Sequence, residues 1–312
     1  MMAPLRVLVV TNMYPTPAEP MAGIFVAEQV ESLRRRGLQA DVLFINGRAG
    51  WAEYARGFGR VRRAVEEGDY DLIHAHYVFS GIMALAQRRV PVVLTHHGIE
   101  AQRGWTAPLC RWASRRVART IATSRRVAQA LGRRDVEVVP CGVDVELFRP
   151  MPQAEARAAL GLPADVPLVL FAGMRRPEKR FDLVEAAMAL LRHRRPSARL
   201  VVAEHEPHER MPLFMNACDV LVLASEAEGS PMVIKEAMAC NLPIVSVDVG
   251  DVAEVIGGTA GCFLAGRDPG SLAEKLAAAL DFGARTQGRE AILPLSLEAI
   301  AARLETIYRQ VV

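Results

Sequence analysis

The chain has 312 residues, 51% of them hydrophobic and 23% charged: enough for two α/β domains of ordinary size, in a composition that excludes disorder. Its five cysteines, Cys110, Cys141, Cys218, Cys240 and Cys262, are odd in number and lack CxxC spacing, so they read as reduced, mostly buried thiols rather than disulfides or a zinc site. The net charge of +3 hides an asymmetry, because residues 1–150 carry 21 arginines and 14 acids, a net +7, whereas residues 151–312 carry a net −4.

The first apolar run, Leu5–Thr11, stops at Asn12 and Pro15. It is too short for a signal-peptide core and far too short to span a bilayer, so it reads as a buried first strand of a cytoplasmic protein. Further strands are expected at Ala40–Phe44, Leu72–Ala75, Val90–Thr95, Thr120–Thr123 and Glu137–Pro140. Amphipathic helices are expected between them at Phe25–Arg36, Trp51–Glu67, Ser80–Gln87, Ala107–Ala118 and Arg125–Leu131. Apolar strands alternating with helices indicate a parallel sheet covered on both faces.

The pattern restarts after Phe148–Pro152. Strands are expected at Leu168–Phe171, Arg199–Ala203, Val220–Leu223, Ile244–Val247 and Cys262–Leu264. Helices are expected at Ala154–Leu160, Phe181–His193, Met211–Ala217, Met232–Ala239, Val252–Ile256 and Ser271–Leu280. The fold class is therefore α/β, with two doubly wound Rossmann-like domains, 1–149 and 150–295, facing a cleft. A final amphipathic helix, 296–312, is expected to pack back on the first domain. Ligands in such folds bind outside the carboxyl ends of the strands.

The loop after the first strand, Thr11-Asn12-Met13-Tyr14-Pro15-Thr16-Pro17, lacks the GxGxxG of a dinucleotide enzyme, which argues against dehydrogenase chemistry. Its one glycine before the helix, Gly23, suits either a close approach to a phosphate or sugar or an ordinary tight turn. The most informative stretch is Ser225–Cys240. There an apolar strand turns through Glu228-Gly229-Ser230-Pro231 into a helix, with Pro231 suited to its first position. Free amides of a first turn attract a diphosphate, and the carboxylates of Glu228 and Glu236 suit sugar hydroxyls. By spacing alone, a cap residue and a solvated helix face explain the two glutamates equally well.

The Glu-x7-Glu spacing followed by Ala-Met-Ala-Cys-Asn-Leu-Pro-Ile-Val resembles the retaining glycosyltransferases of family 4, which have the GT-B fold. Further matching pieces run through the whole chain: the Gly23 loop, Asp71–His76, Thr95–Gly98, Val139–Asp144 with Phe148, Phe171–Gly173 through Pro177–Lys179, and Met215–Val220. The short link Ala203–Met211 is similar to a compact branch of teichuronic-acid type. The resemblance implies that Glu236 holds the nucleotide ribose and that Glu228 contacts the transferred sugar. It also implies that the backbone from Gly229 through Ser230, Pro231 and Met232 to Val233 meets sugar and phosphates. Lys179 and a neighbouring arginine would neutralise the leaving diphosphate, where bond cleavage builds negative charge. His97 would lie near sugar or acceptor.

Two positions depart from the family pattern. The usual arginine after Gly173 is replaced by Met174, with Arg175 and Arg176 one and two residues later, and Arg175 is taken as its substitute ahead of Arg176; Cys141 stands for the usual asparagine. No Asp-x-Asp motif ends a donor-site strand, which agrees with a metal-independent enzyme needing no cofactor. The implied chemistry is front-face transfer of a sugar from a UDP- or GDP-sugar to a glycan or lipid-linked acceptor, the departing phosphate taking the acceptor's proton. A sugar-nucleotide epimerase of the same architecture and an inactive nucleotide-sugar-binding protein are the alternatives. The arginine runs Arg34–Arg36, Arg60–Arg63 and 111–134 read either as solvated helix faces or as a surface for an acidic acceptor or for anionic lipid at the inner membrane face. Only Trp112 falls among them, too little for a stacking platform, so nucleic acid is not expected as a partner.

Overall fold

The computed structural model describes residues 4–312, which divide into two compact units. One runs up to Gly142 and includes Leu297–Val312; the other is Val143–Ser296. The division falls at Gly142/Val143 rather than at 149/150. The reason is packing: Val143 and Phe148 bury in the second unit's core, and the Val143 N–H donates to Leu295 O at 2.9 Å.

The first unit holds a six-stranded parallel sheet: β1 (Arg6–Thr11), β2 (Gln39–Phe44), β3 (Leu72–His76), β4 (Val92–His96), β5 (Arg119–Ala122) and β6 (Glu137–Val138), in the order β2-β1-β3-β4-β5-β6. Helices Ile24–Arg35, Trp51–Glu67, Val78–Ala84, Ala107–Ser114 and Arg125–Leu131 connect them. β3 and β4 are buried along their whole length, as inner strands of a two-faced parallel sheet must be, His74, His76, Thr95 and His96 included. The sixth strand ends at Val138, short of Pro140, which has no N–H for the ladder. A short helix, Ile99–Gln102, lacks the length to show a period in the sequence and was not expected.

The second unit repeats the plan with β7 (Leu168–Ala172), β8 (Arg199–Ala203), β9 (Val220–Leu223), β10 (Ile244–Val247) and β11 (Cys262–Ala265), ordered β11-β10-β9-β7-β8. Its connecting helices are Phe181–Arg194, Met211–Ala217, Met232–Ala239, Val252–Ile256 and Pro269–Phe282. Read from the other edge, this order is the same as the first sheet's five leading strands. Each sheet therefore has one switch point, between β1 and β3 in the first unit and between β7 and β9 in the second. On either side of it the chain winds in opposite directions, which leaves an opening at the strands' carboxyl ends.

The last helix, Leu297–Arg309, belongs to the first unit. Its Glu305 accepts two hydrogen bonds from Arg36, at 3.0 and 3.1 Å. Its fully buried Tyr308 places its hydroxyl 2.6 Å from His74 Nδ1 on β3.

Candidate donor and acceptor sites

In the second unit, the turns after β7 and β9 flank the switch point, and they carry Lys179 and Glu228. The β7 turn ends in a helical turn, Pro177–Lys179, followed by Arg180 at φ 49. It is tied to the β9 turn by the Glu226 N–H, which donates to Glu178 O at 2.8 Å. Lys179 Nζ donates to Glu228 Oε1 at 2.6 Å. With the side chains 28% and 17% exposed, this is a partly desolvated ion pair that an incoming anion can still reach. Glu236 lies in the second turn of Met232–Ala239 and is buried rather than on a solvated face. Pro231 precedes that helix at ψ 119 instead of opening it, so it sets the entry angle and leaves the N–H groups of Met232 and Val233 at the helix start. Lys179 and Glu228 thus meet at the carboxyl edge of β9, and helix Met232–Ala239 with Glu236 follows directly from that turn.

Arg175 is held elsewhere. Its N–H and Nε donate to Glu204, after β8, at 2.8 and 2.6 Å, and its guanidinium lies 5.5 Å from the Phe181 ring centroid. In the sheet order β8 lies on the side of β7 opposite β9, so the structure brings Lys179 and Glu228 together but not Arg175. Arg176, next to it, is exposed, and no ion pair engages it among the described residues.

In the first unit, Gly23 stands before helix Ile24–Arg35 at φ +70, where a Cβ would meet Met13 O at 2.4 Å. Only glycine fits that close backbone approach. Phe25 then packs its ring 5.0 Å from His97, which follows β4. His76, ending β3, pairs its Nδ1 with His97 Nε2 at 2.9 Å, so these two imidazoles share one N–H between them. His74 is anchored on both sides, by Tyr308 and by Thr95 Oγ1 at 2.8 Å. Burial pushes the imidazolium form of His76 down to about 3, and it holds His74 and His97 well below the usual imidazole range. His97 is therefore a neutral hydrogen-bonding group at neutral pH, not a cation.

Among the described residues, His96, Glu100 and Cys110 bring one potential metal-ligating atom each within 4.8 Å of one another. Two of the three already have protein partners: Glu100 Oε1 accepts from the His97 N–H, and Cys110 Sγ donates to Glu100 O.

Sequence reasoning missed Lys235, Asp251 and Gly250, which lie behind the Gly229–Pro231 turn. A signal was available: helix Met232–Ala239 is apolar except for Lys235 and Glu236. A helix apolar all round is buried, and any charges in it must be paired.

Two parallel sheets of one winding plan, each with its candidate residues at the switch point, define a GT-B-type glycosyltransferase fold. Residues 4–147 match the model described as Glycosyltransferase Family 4, and residues 204–281 match that described as Glycosyl transferases group 1. The chain belongs to the family 4 glycosyltransferases. A D-inositol 3-phosphate glycosyltransferase of Thermobispora bispora is 29% identical to it over 318 residues, covering 82% of this chain and 74% of that protein. The matching part of a Mycobacterium bovis relative of the same name is 59% of its length. Sucrose-phosphate synthase from Thermosynechococcus elongatus shares the fold at TM-score 0.82 and 22% identity, over 98% of each chain. Anabaena HepE in complex with UDP-glucose shares it at TM-score 0.67 and 19% identity, again over 98% of each chain.

Proposed function

We propose that this glycosyltransferase moves a sugar from a UDP- or GDP-sugar to a glycan or lipid-linked acceptor, with retention at the anomeric carbon and without a metal ion on the diphosphate. The observation that carries the reading is the Lys179–Glu228 pair at the β7/β9 switch point, with Glu236 buried in the helix that follows the Glu228 turn. In the transfer, Glu236 takes the ribose hydroxyls, Glu228 a hydroxyl of the sugar, and the backbone from Gly229 to Val233 the sugar and phosphates. Lys179 leaves Glu228 for the diphosphate as negative charge builds there, and the departing phosphate oxygen accepts the acceptor's proton. Arg175 joins Lys179 only by releasing Glu204, whereas exposed Arg176 needs no such exchange. His97, neutral, with its Nε2 taken by His76, has only Nδ1, which lies 3.9 Å from Cys141 Sγ, to turn toward sugar or acceptor.

The lipid-linked alternative draws support from the first unit's surface. Trp51 and Trp105 are 67% and 65% exposed with ring centroids 6.3 Å apart, both against Phe79. Exposed indoles on an arginine-rich unit suit the headgroup region of an anionic bilayer at the inner membrane face. Among the described residues no helix is long and apolar enough to cross a membrane.

Calorimetry with UDP and GDP tests the donor site directly, and binding of neither removes the reading. Glu236→Ala and Lys179→Ala should abolish turnover with circular dichroism unchanged. Wild-type rates in either would remove its assigned role, and binding without turnover across a donor and acceptor panel would mark a binding protein instead.

A further inference from the structure

Of the two charges in helix Met232–Ala239, only Glu236 has a task in the transfer described above. Lys235 is fully buried, and an ammonium removed from water persists only when it is paired. Its partners come from the turns on either side. Nζ donates to Ser230 Oγ, in the turn after β9, and lies 3.4 Å from Asp251 Oδ2, in the turn after β10. The Ser230 hydroxyl donates in turn to that same Oδ2 at 2.6 Å. The hydroxyl thus accepts from one group and donates to the other, which fixes the direction of its proton. Lys235 and Asp251 are 0% and 2% exposed and Ser230 between them is half-buried, so the ion pair is largely shielded from water, which strengthens each of its bonds.

The same turns also meet through their backbones. Gly250 has φ +56, and a Cβ there would stand 2.6 Å from Gly229 O. Arg267 adds a third tie, its guanidinium donating to Glu226 O at 2.8 Å and reaching Asp248 O at 3.4 Å. The segment Gly229–Pro231 is therefore held by both a side-chain network and a backbone contact, each involving the turn after β10. Binding groups are effective only when held within a fraction of an ångström of the productive geometry by such support.

We infer that Lys235 and Asp251 are positioning residues of the donor site: through Ser230 they hold the Gly229–Pro231 turn so that its main chain meets the donor's sugar and diphosphate. The inference rests on the donor-site reading above. It assigns Ser230 a main-chain contact with the ligand, because its hydroxyl is occupied on the protein side.

The test compares wild type, Lys235→Met/Asp251→Leu (which removes both charges together and strands neither), Ser230→Ala and Ser230→Thr. Each is checked by circular dichroism, by calorimetry with UDP and GDP, and by donor and acceptor KM. The double variant and Ser230→Ala should bind the nucleoside diphosphate about tenfold more weakly and raise the donor KM alike, with acceptor KM unchanged. Ser230→Thr, which keeps the hydroxyl, should stay near wild type. A pair that merely stabilised the fold would lower the melting temperature and leave donor affinity alone, so folded variants binding within twofold of wild type overturn the inference. If the double variant does not fold, the contrast between Ser230→Ala and Ser230→Thr decides. Wild type that binds neither nucleotide sinks the donor-site reading itself, and this inference with it.

Discussion

Replacing Glu228 by glutamine should move nucleotide affinity and turnover in opposite directions. In the free protein Lys179 is engaged at 2.6 Å by a carboxylate that a diphosphate must displace, and that carboxylate also repels the arriving anion. A hydrogen bond to a charged group contributes about 1.5–3 kcal/mol when well buried, but these side chains are 28% and 17% exposed, so about 1–2 kcal/mol is the better figure here. Glutamine still accepts from Lys179 but carries no charge, so about half of that is lost and the repulsion goes with it. The nucleoside diphosphate should then bind about fivefold to tenfold more tightly, a change of about 1–1.4 kcal/mol. Turnover should fall by about a hundredfold, because the sugar loses a group that orients it. Lys179→Met should instead weaken nucleotide binding. Calorimetry with UDP or GDP on wild type, each single variant and the double closes the cycle. Unchanged or weaker nucleotide binding by Glu228→Gln would refute the idea that this ion pair occupies the phosphate-binding lysine.

Three further outcomes are expected. Tyr308→Phe leaves His74 Nδ1 buried without its partner and should cost about 1–3 kcal/mol in urea unfolding, with activity per folded molecule unaltered. His74, His76 and His97 have folded-state values below the unfolded imidazole's, so the unfolded chain binds more protons as the pH falls. Stability should therefore be level above about pH 7 and decline through the window from about 6.5 down to about 3, each histidine contributing up to about 1.4 kcal/mol per pH unit. His76→Asn should reduce that slope between pH 4 and 6, and an unaltered slope would count against the assignment. Trp51→Ala/Trp105→Ala should lose cosedimentation with anionic vesicles while keeping nucleotide binding, and no vesicle binding by wild type at low salt would remove the membrane proposal.

Much of this was legible in the sequence because it is local. Trp51–Glu67, Arg125–Leu131, Met211–Ala217 and Met232–Ala239 fall on the residues their apolar periodicity marked, as do the strands Val220–Leu223 and Ile244–Val247. A helix or buried strand in a two-faced parallel sheet is specified by its own side-chain pattern, and the alternation of the two element types gives the doubly wound plan. The Glu228–Glu236 spacing alone left a cap and a solvated helix face equally open, and it was the resemblance to family 4 that made this turn and helix a candidate donor site.

What only the tertiary structure decided are pairings across long stretches of chain. Arg175 is the sequence's preferred substitute for the displaced arginine, and in the fold it donates to Glu204, just after β8. His74 finds Tyr308 and His76 finds His97 because the sheet sets β3 beside β4 and the last helix belongs to the first unit. Lys235 looks in sequence like an ordinary helix lysine. Its burial against Ser230 and Asp251 appears only once β9 and β10 lie side by side, because a desolvated charge is stabilised by partners that no local pattern names.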